Sequence, residues 1–251
     1  MTERLGHGVA KVPAVTLGFW IIKILATTLG ETGGDSLSMS MNLGYLVSTA
    51  VFGVLFFIVV AFQISSRHFN RWLYWATIIA TTTVGTTLAD FVDRSLGVGY
   101  AGGTSILIAL LLGSLLLWYW SLGTVDIRSI GSPKVEVFYW VTILFSQTLG
   151  TALGDWTADS YGLGFAGGTV IFTVLLLLTA AAYFWTRISH TLLFWIAFVL
   201  TRPFGAVLGD LLDKPVANGG FALSRYAASA VLLAAILILV SVLPQRAATS
   251  H

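Results

Sequence analysis

The stretch that decides the fold is residues 19–35, which read FWIIKILATTLGETGGD. The arrangement returns as YWATIIATTTVGTTLAD at 74–90, YWVTILFSQTLGTALGD at 139–155 and FWIAFVLTRPFGAVLGD at 194–210. In every copy a glycine lies ten residues after the tryptophan, and an aspartate lies fifteen residues after it. A charge inside apolar, membrane-spanning sequence is costly, so its fourfold recurrence predicts a functional role.

The composition is that of an integral membrane protein. Of the 251 residues, 57% are hydrophobic and 10% are charged, with a mean hydropathy of +0.89, whereas soluble domains carry roughly 25% charged residues. A net charge of +2 gives no indication of nucleic-acid binding. The chain has no cysteine, and its four histidines lie at the termini or between apolar segments. We therefore expect no disulfide, iron–sulfur cluster, heme or other cofactor.

A bilayer-spanning helix needs about 20 largely apolar residues, and the sequence predicts eight of them in a single transmembrane domain, 1–251. The predicted spans are 14–35, 43–64, 72–91, 100–121, 137–156, 164–185, 191–211 and 221–243. The odd spans carry the repeated motif and the even spans are plainer. The predicted fold is all-α, with four tandem helical hairpins at 14–64, 72–121, 137–185 and 191–243.

Basic residues cluster on one predicted side of the membrane. They are Arg4, Lys11, Arg67, Arg71, Arg128, Lys134, Arg187 and Arg246. The positive-inside rule places both termini in the cytoplasm and the motif tryptophans in the aromatic belt at that interface. Two spans per repeat give all repeats the same orientation, which predicts pseudo-rotational symmetry about the membrane normal.

Counting back from each aspartate in steps of four defines a polar stripe on one face of each odd span. The stripes are Lys23, Thr27, Glu31 and Asp35; Ile78, Thr82, Thr86 and Asp90; Ile143, Gln147, Thr151 and Asp155; and Phe198, Arg202, Ala206 and Asp210. Beside each stripe runs a pair of small residues, which favours close packing of the odd helices around a shared interior.

Carboxylates above hydroxyl and amide oxygens suit hard cations. We expect Glu31, Asp35, Asp90, Asp155 and Asp210 to bind a metal cation, with Thr82, Thr86, Gln147 and Thr151 supplying neutral oxygens. Several carboxylates at close range cannot all stay ionised without a cation, which couples cation and proton occupancy. The alternative is structural: the aspartates cap backbone groups or pair with Arg94 and Lys214.

Three cations depart from the repeat and are predicted charge partners. Arg202 lies one layer from Glu31, so we expect a buried ion pair between them. Lys23 has no carboxylate below it on the stripe, and we expect it to extend to the cytoplasmic interface. Arg225 is expected to pair with Asp210 or Asp213. Because Lys23, Arg202 and Arg225 are cationic, binding of an anionic ligand remains an alternative. The outer loop acids Asp93, Asp159 and Asp213 are expected to be merely solvated.

The four copies, with Trp20, Trp75, Trp140 and Trp195 near their starts, resemble a family of bacterial membrane proteins built from four tandem two-span repeats. The resemblance covers the chain from Gly18 to about Leu243. It implies the repeat fold and a bacterial inner membrane location, and it implies no activity.

The leading functional hypothesis is a secondary transporter or exporter of a small cation, a divalent metal ion coupled to protons. The chain has no GxxxxGK[ST] motif for ATP, so ion gradients would drive it. The alternative is a transporter or binder of a small organic, anionic solute held by Lys23, Arg202 or Arg225, with Tyr100, Trp156 and Tyr161 lining the pocket. An enzyme is not expected, because no nucleophile is placed with a base. The expected partners are the cation, protons and the lipid bilayer; homo-oligomerisation stays open.

Overall fold

The computed structural model describes residues 10–160 and 162–248, and these residues form eight α-helices and no β-sheet. The helices are α1 (Leu17–Asp35), α2 (Gly44–Ser65), α3 (Arg71–Asp90), α4 (Gly99–Leu122), α5 (Pro133–Ser160), α6 (Gly164–Trp185), α7 (His190–Asp213) and α8 (Arg225–Val242). The predicted all-α class is confirmed, and the observed helices lie within a few residues of the predicted spans.

The odd helices form the interior of the molecule. α1 packs on α3, α3 on α5, α5 on α7, and α7 returns to α1, which closes a ring. Each even helix packs against the odd helix that follows it, and α8 packs against α1. The extensive contacts of the even helices therefore lie mainly between repeats, rather than within the hairpins that the sequence suggested.

Six helices are long and apolar enough to cross a membrane by length and composition: α2, α4, α5, α6, α7 and α8. α1 and α3 fall short because they carry many of the polar stripe residues. The even helices instead expose large apolar side chains such as Phe57, Leu177 and Val231. Such an exposed apolar surface fits a multi-pass membrane protein, in which lipid covers it.

One contact recurs at all four interfaces of the ring and explains why each copy of the motif keeps the same spacing between its glycine and its stripe residues. A Cβ added to Gly30 would lie 2.4 Å from Thr82 Cγ2, and one on Gly85 would lie 3.0 Å from the Gln147 backbone. A Cβ on Gly150 or Gly205 would come within 2.2 Å of Arg202 or Thr27, respectively. Each glycine thus receives a stripe residue of the next odd helix, so the helices approach closely only where a side chain is missing.

The connections from odd to even helices also repeat. α2, α4 and α6 each begin at a glycine with positive φ, namely Gly44, Gly99 and Gly164. A second positive-φ residue precedes each by two positions, and it is Asn42, Gly97 or Gly162. Glycine adopts this backbone without steric cost. The fourth connection is longer and includes the short 3₁₀ turn Val216–Asn218.

We call the end of the ring that carries the four motif aspartates the acidic end, and the opposite end the basic end. Aromatic side chains fill the ring at the basic end, where Tyr74 and Tyr139 share a hydrogen bond of 2.8 Å. This aromatic plug consists of Phe19, Tyr74, Trp75, Tyr139, Trp140, Phe194 and Trp195. The expectation of an interfacial belt was wrong for Trp75, Trp140 and Trp195, because all three are buried among these rings.

Two segments, 10–14 and 246–248, and the loop before α5 cover the aromatic plug. Pro13 and Ala247 form an isolated antiparallel bridge, and the backbone N–H of Lys11 donates to the carbonyl of Ile130. The Lys11 ammonium is buried and pairs with the carboxylate of Glu136 at the start of α5. In this structure the basic end is therefore closed by the plug and its cover.

Candidate cation site

The four motif aspartates come together at the acidic end and are almost completely buried. Two cations bridge them in pairs. Arg94 lies 2.9 Å from Asp90 Oδ1 and 2.8 Å from Asp155 Oδ2, which joins α3 to α5. Lys214 contacts Asp35 and lies 3.1 Å from Asp210 Oδ1, which joins α7 to α1. Each motif aspartate thus has a cationic partner from the chain itself.

These bridging cations extend the polar stripe by one more step of four. Met39, Arg94, Asp159 and Lys214 each follow a motif aspartate by four residues. The sequence analysis stopped the stripe at the aspartates and treated Arg94 and Lys214 as local partners only. Counting forward as well as backward would have identified this layer.

A cavity of about 280 Å³ opens at this layer. Its lining consists of Met39, Arg94, Asp155, Asp159, Phe165, Asp210, Lys214, Pro215, Asn218 and Arg225. Two motif aspartates and all three cations of the acidic end therefore face one space. Of the aromatic residues expected near it, Tyr100 donates to Asp159 at 2.6 Å, and Tyr161 lies outside the described residues.

Glu31, Asp35 and Asp210 form the tightest carboxylate cluster. One oxygen of each lies within 4.8 Å of the others, and all three residues are buried. Lys214 occupies one side of the cluster through its contacts with the two aspartates. The oxygens are the hard ligands that divalent cations of the magnesium, calcium and manganese type prefer.

The predicted pair between Glu31 and Arg202 is present one layer below. Arg202 Nη2 lies 3.0 Å from Glu31 Oε2 and 2.6 Å from Thr86 Oγ1. The same nitrogen also donates to Thr151. The guanidinium therefore contacts α1, α3 and α5 from its position on α7, and it closes the ring interior beneath the acidic end.

The lower layers contain polar groups with few or no partners. The sequence analysis expected Lys23 to extend to the interface, and this expectation was wrong. Lys23 is fully buried, with Nζ 3.4 Å from Thr201 Oγ1 and 4.1 Å from the centre of the Phe198 ring. Thr82 and Gln147, expected as oxygen ligands, are fully buried, and among the described residues their side-chain polar atoms have no hydrogen-bond partner. They lie one helical turn below Thr86 and Thr151, the threonines that accept from Arg202.

Two of the three outer loop acids are less solvated than expected, whereas the third, Asp159, is exposed as expected. Arg225 pairs with Asp213 at 3.2 Å, one of its two expected partners, and lies 3.8 Å from Asp35. Asp213 and Asp93 are both buried, so the expectation of solvation was wrong for them. The Asp93 carboxylate packs against Gly103 in α4, where an added Cβ would collide with it.

Comparison with known proteins gives one match. Four consecutive segments, 18–69, 73–124, 138–189 and 193–245, match the family described as Repeat of Unknown Function (DUF347). Together they cover most of the chain, and each covers most of one odd helix and the whole of the even helix that follows it. No curated protein and no solved structure matches the chain.

Proposed function

Because the chain belongs to this family of tandem repeats, whose description assigns no activity, we propose its function from the site: a secondary transporter of a small cation, with a divalent metal ion as cargo and protons as the coupled ion. The single observation that carries the proposal is the buried cluster of Glu31, Asp35 and Asp210 beside an open cavity.

The charge distribution along the chain supports this proposal. The outer half of the repeats carries eight of the eleven acidic residues and four of the thirteen basic ones. The acids are Glu31, Asp35, Asp90, Asp93, Asp155, Asp159, Asp210 and Asp213; the bases are Arg94, Arg202, Lys214 and Arg225. The excess of carboxylates favours added cations or protons over added anions at this end.

Lys214 provides a means of exchange. Its ammonium rests on Asp35 and Asp210, the position that a cargo cation would need. Arrival of a divalent ion from the cavity displaces the ammonium, and departure of the ion lets the ammonium or protons return. The carboxylates thereby stay neutralised at each stage, which limits the cost of buried charge.

The proposal includes an arrangement in the membrane. All eight helices span a bacterial inner membrane as four repeats related by rotation about the membrane normal, with both termini in the cytoplasm. The recurring contact between glycine and stripe supports the rotation. The acidic cavity then faces outward, and the aromatic plug is the barrier that moves when cargo reaches the cytoplasmic side.

Transport in proteoliposomes tests the proposal, with Mn²⁺ as the cargo and a pH-sensitive dye inside the vesicles. We expect Mn²⁺ flux accompanied by opposite proton flux. Asp35→Asn and Asp210→Asn should each abolish both, because the amide keeps the shape but loses the charge. Asp126→Asn is the matched control, since Asp126 pairs with Arg128 in the loop before α5 at the basic end. Normal Mn²⁺ flux in both cluster variants would contradict the proposal.

The second candidate, transport of a small organic anion, has one observation in its favour. Arg94, Lys214 and Arg225 line the same cavity. In that case flux of a carboxylate solute should require Arg225 and tolerate Asp35→Asn. The same vesicles therefore distinguish the two functions.

A further inference from the structure

Hydrogen-bond donors without partners collect inside the ring below Arg202. Within the part of the chain that the structure describes, Arg202 Nε and Nη1 have no hydrogen-bond partner, and neither has the amide of Gln147 or the hydroxyl of Thr82. All three residues are fully buried. Leaving a buried polar group unpaired costs about 1–3 kcal/mol, and more for a charged group, so this concentration of unpaired donors calls for a partner.

Helix periodicity places these groups around one point. Arg202 Nη2 contacts Thr86 on α3 and Thr151 on α5. Thr82 and Gln147 precede those two threonines by four residues, so they lie on the same faces one turn nearer the basic end, about 6 Å away. Both side chains therefore lie one helical turn below the threonines that accept from the Arg202 guanidinium.

Lys23 completes the group from α1. Its ammonium lies over the ring of Phe198, which precedes Arg202 by one helical turn on α7. Its one hydrogen-bond contact is to Thr201 Oγ1, at 3.4 Å. Donors from all four odd helices therefore surround the interior between Arg202 and the aromatic plug.

The formal charge of this region is positive. Arg202 and Lys23 are both fully buried, and Glu31 is the one carboxylate that pairs with either of them among the described residues. Glu31 sits on the acidic side of Arg202, away from Lys23. An uncompensated charge in a low-dielectric interior is costly unless a counter-ion joins it.

We propose that a small inorganic anion of the size of chloride binds in the ring interior below Arg202, held by Arg202, Lys23, Gln147 and Thr82. Water would satisfy the donors but would leave the charge uncompensated. Close packing at Gly30, Gly85 and Gly150 narrows this part of the ring, and none of the four residues lines the described cavity. A monatomic ion fits these limits, whereas an organic anion does not. The site goes beyond the proposed cation transport and does not depend on it.

Thermal unfolding of the purified protein in detergent tests the site. Chloride or bromide is titrated against gluconate at constant ionic strength, without added metal. We expect a saturable rise in melting temperature with either halide. Gln147→Leu and Lys23→Met should each reduce the apparent halide affinity at least tenfold. Lys214→Met is the matched control, because it removes a partly buried cation at the acidic end and should leave the halide dependence intact.

Bromide soaked into crystals of the unchanged protein supplies a second readout that does not require a variant to fold. Anomalous density should appear between Arg202 and Gln147. The proposal is overturned by a halide dependence that is absent, that is unsaturable, or that is lost in Lys214→Met but kept in Gln147→Leu. Anomalous density at the acidic end alone would also overturn it. None of these results bears on Mn²⁺ flux, so the two proposals fail separately.

Discussion

At the scale of single residues, the ring interior contains buried charged side chains that are stable there only because each is paired with a side chain of opposite charge. Arg202 and Glu31 are both buried, and each neutralises the other at 3.0 Å. Breaking such a pair on one side costs roughly 3–5 kcal/mol, whereas replacing both partners is often neutral. Their sequence positions predicted the contact, because they lie in adjacent layers on the stripes of two different odd spans.

We therefore expect Glu31→Gln combined with Arg202→Gln to melt at a higher temperature than Arg202→Gln alone. In the single variant the Glu31 carboxylate loses its guanidinium while remaining buried. Thermal melting in detergent, at one pH and one salt concentration, measures the difference. Equal melting temperatures for the double variant and both single variants would show that the pair is energetically unimportant.

The close approach of the odd helices makes a second prediction at this scale. Gly30→Ala should destabilise the protein by about 1–3 kcal/mol, the usual cost of overpacking, because the new Cβ would collide with Thr82. Gly33→Ala is the control on the same helix, since an added Cβ there meets nothing within 4 Å. Melting temperatures of both variants check this, and a loss as large for Gly33→Ala would contradict the packing argument.

At the scale of elements, the π-helical turn Phe91–Ser95 shows how a connection fixes an even helix. It follows α3 and places Asp93 against Gly103 of α4. Gly103 belongs to the Gly102-Gly103-Thr104 sequence near the start of α4, where small residues let neighbouring segments approach closely. The π-helical turn itself had no distinguishing pattern, because its backbone follows from tertiary packing rather than from local propensity.

The Asp93 contact makes stability depend on pH. Burial raises the pKa of Asp93 to about 6, against the opposing effect of the Arg94 charge. A carboxyl group whose pKa is raised on folding does not destabilise the protein at acidic pH. The folded protein loses stability as the pH rises through the pKa that this group has in the folded state. Asp93→Asn should therefore raise the melting temperature by a few degrees at pH 8 and leave it unchanged at pH 4.

Melting curves between pH 4 and pH 8 measure this effect. Asp159→Asn is the control, because Asp159 is exposed and removing its charge relieves no burial cost. A gain for Asp93→Asn that is the same at both pH values would rule out titration of Asp93 as the cause.

Repetition in the sequence predicted the elements well but their pairing poorly. The spacing of Trp, Gly and Asp indicated which helices share an interior, since a polar stripe must avoid lipid. It carried no information on which even helix covers which odd helix, because apolar surfaces of the even spans are chemically alike. Lys23 was misplaced for a related reason: its hydroxyl partner Thr201 lies 178 residues away and off the stripe.

At the scale of the whole molecule, the two ends of the ring differ in chemistry. The acidic end holds a cavity and paired charges, while the basic end is sealed by rings, segments 10–14 and 246–248 and the loop before α5. This asymmetry and the distribution of arginine and lysine both favour the basic end as cytoplasmic.

Cysteine labelling of intact cells measures the orientation, and the chain has no cysteine to give background. Gly162→Cys, between α5 and α6 at the acidic end, should react with an impermeant maleimide added outside. His68→Cys, between α2 and α3 at the basic end, should react only after permeabilisation. The reverse pattern would invert the proposed orientation.

The closure of the ring has a consequence for biosynthesis. α1 leaves the ribosome first with Lys23, Glu31 and Asp35, but Arg202 follows Glu31 by 171 residues and Lys214 follows Asp35 by 179. α8, which covers α1, emerges last of all the helices. α1, which carries three charged residues, must therefore wait for its neutralising partners until α7 and Lys214 have been translated. We expect the insertion machinery to retain α1 during that interval, so that nascent chains arrested before α7 stay associated with the translocon while complete chains are released into lipid.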